Sequence, residues 1–221
     1  MGRKNWLFVG NVDGGDVNAV GWRMSLDVHV GTLKSYYGSE AGAWLEKLQA
    51  RLKIPCTWSE RDAEPIAVEQ LGSFAGLDAL HLAAAYHMQP HLKRPTQPPK
   101  QLTKDKAWIA STRKGFRSRF PAIIGPSVWL PCDFEVRVRL KDPTGEARTF
   151  ASAVALVRQL ELLDAERFHA TKAQLQQWLT EPDDELAARD PLEATMRYAF
   201  AGYLQLARLA VRKKRPMLLS Y

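Results

Sequence analysis

The chain has 221 residues, of which 46% are apolar, a composition that supplies a sizeable core and excludes global disorder. Its 31 basic and 24 acidic residues give a formal net charge of +7, which is compatible with an acidic protein partner, with nucleic acid, or with a merely solvated surface. No apolar run approaches the roughly 18 residues that a transmembrane helix needs, so no contact with a membrane is expected.

Cysteine usage and the N-terminus predict the compartment. The chain has two cysteines, Cys56 and Cys132, far apart in sequence, and residues 1–23 lack the apolar centre of a secretory signal. Isolated cysteines of this kind are typical of reduced thiols. We therefore expect a cytoplasmic protein without a disulfide.

Alternation of apolar and polar residues predicts a first strand near the N-terminus. Leu26, Val28 and Val30 fall on one face of this strand, with Asp27 and His29 on the other. Because only one face of this strand is apolar, we expect that face to pack against the core.

The clearest hairpin signal covers residues 133–150. Phe134, Val136, Val138 and Leu140 alternate with charged residues, and the sequence KDPTGE then supplies the residues of a turn before ARTF returns. All four apolar side chains are expected on one face of the hairpin.

Helical periodicity and capping residues predict most other elements. Helices are expected near residues 39–53, 76–89, 153–163, 171–179 and 191–212, with a short helix at 103–112 capped by Thr103. Residues 56–58 are predicted as a short strand, 59–73 as irregular, and 217–221 as a strand or a packed tail. Strands and helices in this irregular order predict an α+β fold with a small mixed or antiparallel sheet.

Asp27, His29 and Tyr37 are the candidate catalytic residues. An Asp–His pair on one strand face, close in sequence to a phenol, has the groups needed for general acid–base work. The same residues also fit a satisfied polar network at a sheet edge, which is the interpretation we adopt. We therefore expect a binding protein in preference to an enzyme.

The histidines do not predict a metal site. His81 and His87 are six positions apart, or about 240° around a helix, and Pro90 separates His87 from His91. The glycine-rich sequence GNVDGG lacks the Lys-Ser/Thr of a phosphate-binding loop. We expect neither a metal nor a cofactor.

Basic residues are concentrated between positions 93 and 119, where only Asp105 opposes them. The cations predicted to contact nucleic acid or an acidic partner are Lys93, Arg94, Lys104, Lys106, Arg113, Lys114, Arg117 and Arg119. Three aromatic residues lie between these cations: Trp108, Phe116 and Phe120. Their rings either stack on bases or belong to the core. No helix-turn-helix, zinc-finger or RNA-binding motif accompanies the run.

Two segments resemble known families. Residues 2–20, GRKNWLFVGNVDGGDVNAV, resemble the C-terminal motif of DDE transposases of the insertion-sequence sixty-six type, on the matching residues 2–8, Gly10, Gly14, Gly15 and Ala19. The family's metal-binding carboxylates lie upstream of that motif and are absent from this chain, so the resemblance implies a remnant without transposase activity.

Residues 24–221 resemble an uncharacterised bacterial family. The blocks that carry the resemblance are MSLDVHVGTLKSYY, GLDALHLAAAYHMQPHLKRP, GPSVWLPCDFEV and ARLAVRKKRPMLLSY. The resemblance implies one domain at 24–221, with residues 1–23 as an extension, and it implies no activity.

These observations predict a non-catalytic bacterial binding protein, such as an immunity or antitoxin-type partner of an acidic protein. The alternative is a protein associated with nucleic acid or derived from a mobile element, as the N-terminal resemblance suggests.

Overall fold

The computed structural model describes residues 26–52, 57–61, 67–70, 74–181 and 183–220. Its strands are β1 Asp27–Val30, β2 Ala67–Gln70, β3 Val128–Leu130, β4 Val138–Lys141, β5 Ala147–Ser152 and β6 Met217–Ser220. They form one six-stranded sheet in the order β2-β1-β6-β3-β5-β4. Strands β3 and β5 are parallel and the other neighbouring pairs are antiparallel, which confirms an α+β fold with a mixed sheet.

The helices of the described residues are α1 Leu33–Tyr37, α2 Ala41–Leu52, α3 Phe74–Met88, α4 Lys106–Thr112, α5 Ala153–Leu163, α6 Lys172–Thr180, α7 Asp184–Arg189 and α8 Pro191–Lys213. The predicted helices are therefore present, with ends that differ by a few residues. The sequence patterns did not predict α1 and α7. None of the described helices is long and apolar enough to cross a membrane.

Side-chain caps explain where the predicted helices begin. Ser152 accepts a hydrogen bond at the start of α5, and Thr171 forms a reciprocal capping box with Gln174 at the start of α6. Asp190 caps α8 and is followed by Pro191 in the first turn. These signals are local, so the sequence alone located the three helix starts.

The cap predicted for α4 is wrong. Thr103 lies in a 3₁₀ turn over residues 102–104, and Asp105 caps the helix instead. The Asp105 carboxylate accepts from the backbone N–H groups of Ala107 and Trp108 at 2.8 and 3.0 Å. A carboxylate at this position also interacts favourably with the positive end of the helix dipole.

Helices cover the sheet on both faces. Trp129, Met217 and Leu219 pack into a cluster with α3, α5 and α8, whereas Val128 and Leu218 pack with α1 and α2. Because adjacent residues of β6 enter different clusters, the first three residues of this strand are all apolar and buried. The C-terminal segment is accordingly a central strand, the first of the two forms predicted for it.

Three sequence expectations about strands are wrong. Residues 57–61 contain no strand, and the segment predicted as irregular contains β2 at 67–70. Val136 is 60% exposed, because β4 begins only at Val138 and residues 134–137 have left the sheet. The hairpin is confirmed, but it is shorter than the alternation predicted.

The expectation of reduced thiols is wrong for Cys132, which is disulfide-bonded. Cys56 and the predicted extension at residues 1–23 lie outside the described residues. The assignment of residues 24–221 to one domain stays a prediction.

The Pro-rich segment after α3 is attached to the start of α8. The guanidinium group of Arg94 donates two hydrogen bonds to the Asp190 carboxylate. The backbone N–H of Leu192 donates to the carbonyl of Thr96 at 2.9 Å. Since Asp190 also caps α8, Arg94 holds the segment and the helix start together.

Substitution of Arg94 by Gln should release this segment. We expect the free energy of unfolding to fall by about 1–3 kcal/mol, the usual contribution of hydrogen bonds to charged groups, and tryptic cleavage after Lys100 to become faster. Lys93→Gln removes an exposed neighbouring cation and should change neither quantity. Equal cleavage rates in the two variants would show that Arg94 does not hold the segment.

Candidate functional site

The candidate catalytic residues Asp27 and His29 lie on β1, on the sheet face that α1 covers. Both are half-buried, and the ring of His29 contacts that of Tyr36 edge-on, with 5.6 Å between centroids. Burial lowers the pKa of His29, while the neighbouring charge of Asp27 acts in the opposite direction. Neither Asp27 nor His29 lines either of the two clefts described below, so a substrate bound in one of those clefts would not contact them.

Tyr37 belongs to a different polar cluster. Its hydroxyl donates to Oδ2 of Asp142 at 3.1 Å, and burial together with the Asp142 charge raises the pKa of the phenol. The same carboxylate oxygen accepts from Nε of Arg148 at 3.0 Å. A buried Tyr–Asp–Arg cluster of this kind joins α1 to the β4–β5 hairpin, and the phenol acts there as a hydrogen-bond donor.

The three histidines considered as metal ligands lie in different environments. His81 is buried in the core and stacks on Trp108, whereas His87 bonds to Glu166 and His91 is exposed. Across the described ranges, no group of three or more His, Cys, Asp or Glu side chains is placed to hold a metal ion.

The basic run forms an exposed surface, which we call the basic surface. It comprises Lys93, Lys100, Lys104, Lys106, Arg113, Lys114 and Arg117, all exposed and none in an ion pair with a described carboxylate. Arg94 and Arg119 differ from these residues because they pair with Asp190 and Glu166. The charge of the basic surface is therefore available to a partner.

A groove of about 600 Å³ runs through the basic surface, between the Pro-rich segment and the start of α4. Lys93, Lys100, Lys104 and Lys106 line it. Its one lining carboxylate, Asp105, already accepts from the backbone of α4 and from the hydroxyl of Tyr86 at 2.7 Å. A ligand in this groove meets several free ammonium groups and one carboxylate that already accepts three hydrogen bonds.

Two of the three aromatic residues of the basic run, Trp108 and Phe120, pack in or against the core. The Trp108 ring stacks on His81 with 5.2 Å between centroids, Phe120 is fully buried and Phe116 is half-buried. Of the two interpretations of these rings, the packing therefore favours core residues for Trp108 and Phe120. The run offers cations to a partner, and no fully exposed ring.

The sequence patterns did not indicate a role for Ile109, whose side chain is 52% exposed on α4. Lys106 lies three positions before it on α4, and Arg113, the C-cap residue directly after α4, lies four positions after it; both are exposed. The spacing of these three residues was visible in the sequence, but only the position of α4 decides which face is exposed.

No family model, curated protein or solved structure matches this chain. The resemblances of residues 2–20 and 24–221 therefore stay predictions.

Proposed function

We propose that the chain is a binding protein whose basic surface contacts an acidic patch on a protein partner, as an immunity or antitoxin-type protein does. The observation that carries the proposal is the exposed side chain of Ile109 between the unpaired cations Lys106 and Arg113. An apolar centre with a charged rim is the usual composition of a protein–protein contact. The matching partner surface has an apolar pocket with carboxylates at its edge.

Nucleic acid is the alternative partner, and the observations favour it less. Lysine and arginine neutralise phosphates as readily as carboxylates. A phosphate backbone, however, offers no apolar contact to Ile109, and Trp108 and Phe120 are packed inside instead of offering free rings to bases. The transposase-like residues 2–20 lie outside the described residues.

Substitution of Ile109 by Ser should weaken binding of the partner at least about tenfold, because a central apolar contact carries a large share of interface energy. The double variant Lys106→Glu, Arg113→Glu should weaken it by a similar factor and slow association at low salt. The measurement is affinity capture from an extract of the source cells on the immobilised full chain. Surface plasmon resonance with each purified captured protein follows.

Arg139→Glu is the matched control, since Arg139 is an exposed cation on β4 outside the basic surface. It should leave binding unchanged. A captured protein that binds the Ile109 variant as tightly as the unsubstituted chain contradicts the proposal. Tight binding of a short DNA duplex that is lost only in the charge-reversal variant, with no acidic protein captured, supports the nucleic-acid alternative instead.

A further inference from the structure

A second cleft, separate from the groove of the basic surface, opens where β4 departs from β5. The last pair of this ladder is Val138 with Phe150, whereas β5 continues to Ser152 along its parallel partner β3. Residues 134–137 therefore leave the sheet, and a gap of about 460 Å³ remains beside Ala151 and Ser152. This volume lies within the range of small-molecule sites.

Three arginines from different parts of the chain line this cleft, which we call the arginine cleft. Arg119 precedes the buried Phe120, Arg137 lies on the segment that leaves the sheet, and Arg158 projects from α5. Glu135 is the one acidic residue of the lining. The cleft therefore carries a net positive charge and is formed by residues distant in sequence.

Arg137 provides the free charge of the cleft. One of its terminal nitrogens donates to the carbonyl of Ile124 at 3.1 Å, and no described carboxylate pairs with it. Gly125, at φ +95°, lies beside it, and a Cβ there would stand 3.5 Å from the same nitrogen. The guanidinium group is thus positioned by the backbone while its other N–H groups remain available.

The other two arginines are held by solvent-exposed ion pairs, of which the Arg158–Asp133 pair has two hydrogen bonds, of 2.9 and 2.6 Å. Arg158 bonds Asp133 with both side chains 55% exposed, and Arg119 bonds Glu166 with its side chain 53% exposed. Exposed ion pairs contribute only about 0–1 kcal/mol. A ligand anion can therefore share or displace these carboxylates at small cost.

Much of the remaining lining is apolar and small. Ala122, Ala151 and Ala155 leave the space open, and the exposed side chain of Val136 adds an apolar surface, whereas the Phe134 side chain packs into the cluster with α1 and α2. The amide oxygen of Gln159 accepts from the backbone N–H of Ala122 at 2.8 Å, which fixes the residue at the cleft floor. An anion with a compact apolar group satisfies both halves of this lining.

We propose that the arginine cleft binds a small organic phosphate monoester, with the phosphate on Arg137 and Arg158 and the apolar group against Val136 and Ala155. A phosphate accepts several guanidinium hydrogen bonds in the forked geometry that arginine favours. The proposal is independent of the partner assigned to the basic surface.

The test is titration of the full chain with phenyl phosphate at low ionic strength. Calorimetry gives the dissociation constant, and NMR follows the arginine Nε–H signals. We expect saturable shifts at Arg119, Arg137 and Arg158, with weaker binding of inorganic phosphate and no binding of phenol. Arg137→Gln and Arg158→Gln should each weaken the binding of phenyl phosphate about tenfold or more, as expected for the loss of a charged hydrogen bond.

Two further variants keep the test decisive. Ala155→Leu retains all three arginines but fills the floor of the cleft, so it should also abolish binding. The double variant Lys104→Gln, Lys106→Gln changes only the basic surface and should leave the binding of phenyl phosphate unchanged. Shifts confined to the basic surface, or equal affinity in the unsubstituted chain and the Ala155 variant, would overturn the proposal.

Discussion

Asp142→Ala should lower the free energy of unfolding by about 3–5 kcal/mol, the range measured when one partner of a buried ion pair is removed. Arg148 is only 6% exposed and loses its ion pair with the Asp142 carboxylate. The variant also breaks the hydrogen bond from Tyr37, which connects α1 to the hairpin.

Asp142 is at the centre of a dense set of hydrogen bonds. Besides Tyr37 and Arg148, the hydroxyl and N–H of Thr144 and the N–H of Glu146 donate to it. Burial acts to raise the pKa of this carboxyl, but the hydrogen bonds outweigh burial and the net pKa is lowered. The contribution of Asp142 to stability is therefore present at neutral pH and is lost only in acid, as the pH falls below the usual range of an aspartate.

Chemical denaturation at neutral pH measures this effect. The matched control is Asp133→Ala, which breaks an arginine–aspartate pair with a shorter contact, 2.6 Å, whose side chains are both 55% exposed. That loss should stay below about 1 kcal/mol. Comparable losses in the two variants would show that burial of the Asp142 cluster contributes little.

His81 should make the protein unstable in mild acid. Burial lowers its pKa to about 4, against a small opposing effect of the Ile123 backbone, and neither ring nitrogen makes a hydrogen bond of normal geometry. In the unfolded chain the histidine has its ordinary pKa near 6.5. As the pH falls below that value, the unfolded state takes up a proton that the folded state still excludes.

The loss of stability accumulates between pH 6.5 and pH 4 and approaches about 3 kcal/mol, since each unit of pKa difference corresponds to about 1.4 kcal/mol. His81→Leu, of similar volume, should remove this part of the pH dependence. Unfolding free energies measured from pH 7 to pH 4 test it, with His91→Leu as a control that alters an exposed histidine. Parallel curves for the unsubstituted chain and the His81 variant would refute the assignment.

The candidate binding residues were predicted in part. The basic run was visible because its charges are consecutive, but the sequence did not distinguish Arg94, which pairs with Asp190, from Lys106, which is free. The sequence also did not indicate that Ile109 is exposed or that three arginines converge on a cleft. Exposure and convergence depend on which elements pack together, and α4 and the departing segment 134–137 are placed by contacts with distant residues.

The sequence by itself determined α5, α6, α8, β1 and the hairpin turn, because caps, periodicity and turn residues act within a few positions of the chain. Tertiary structure alone decided that β6 pairs with both β1 and β3, and that β2 forms at the edge of the sheet. It also placed Tyr37 on Asp142, 105 positions away. Strand register and burial of a polar cluster require segments that meet only after the whole core has formed, and no local pattern encodes that meeting.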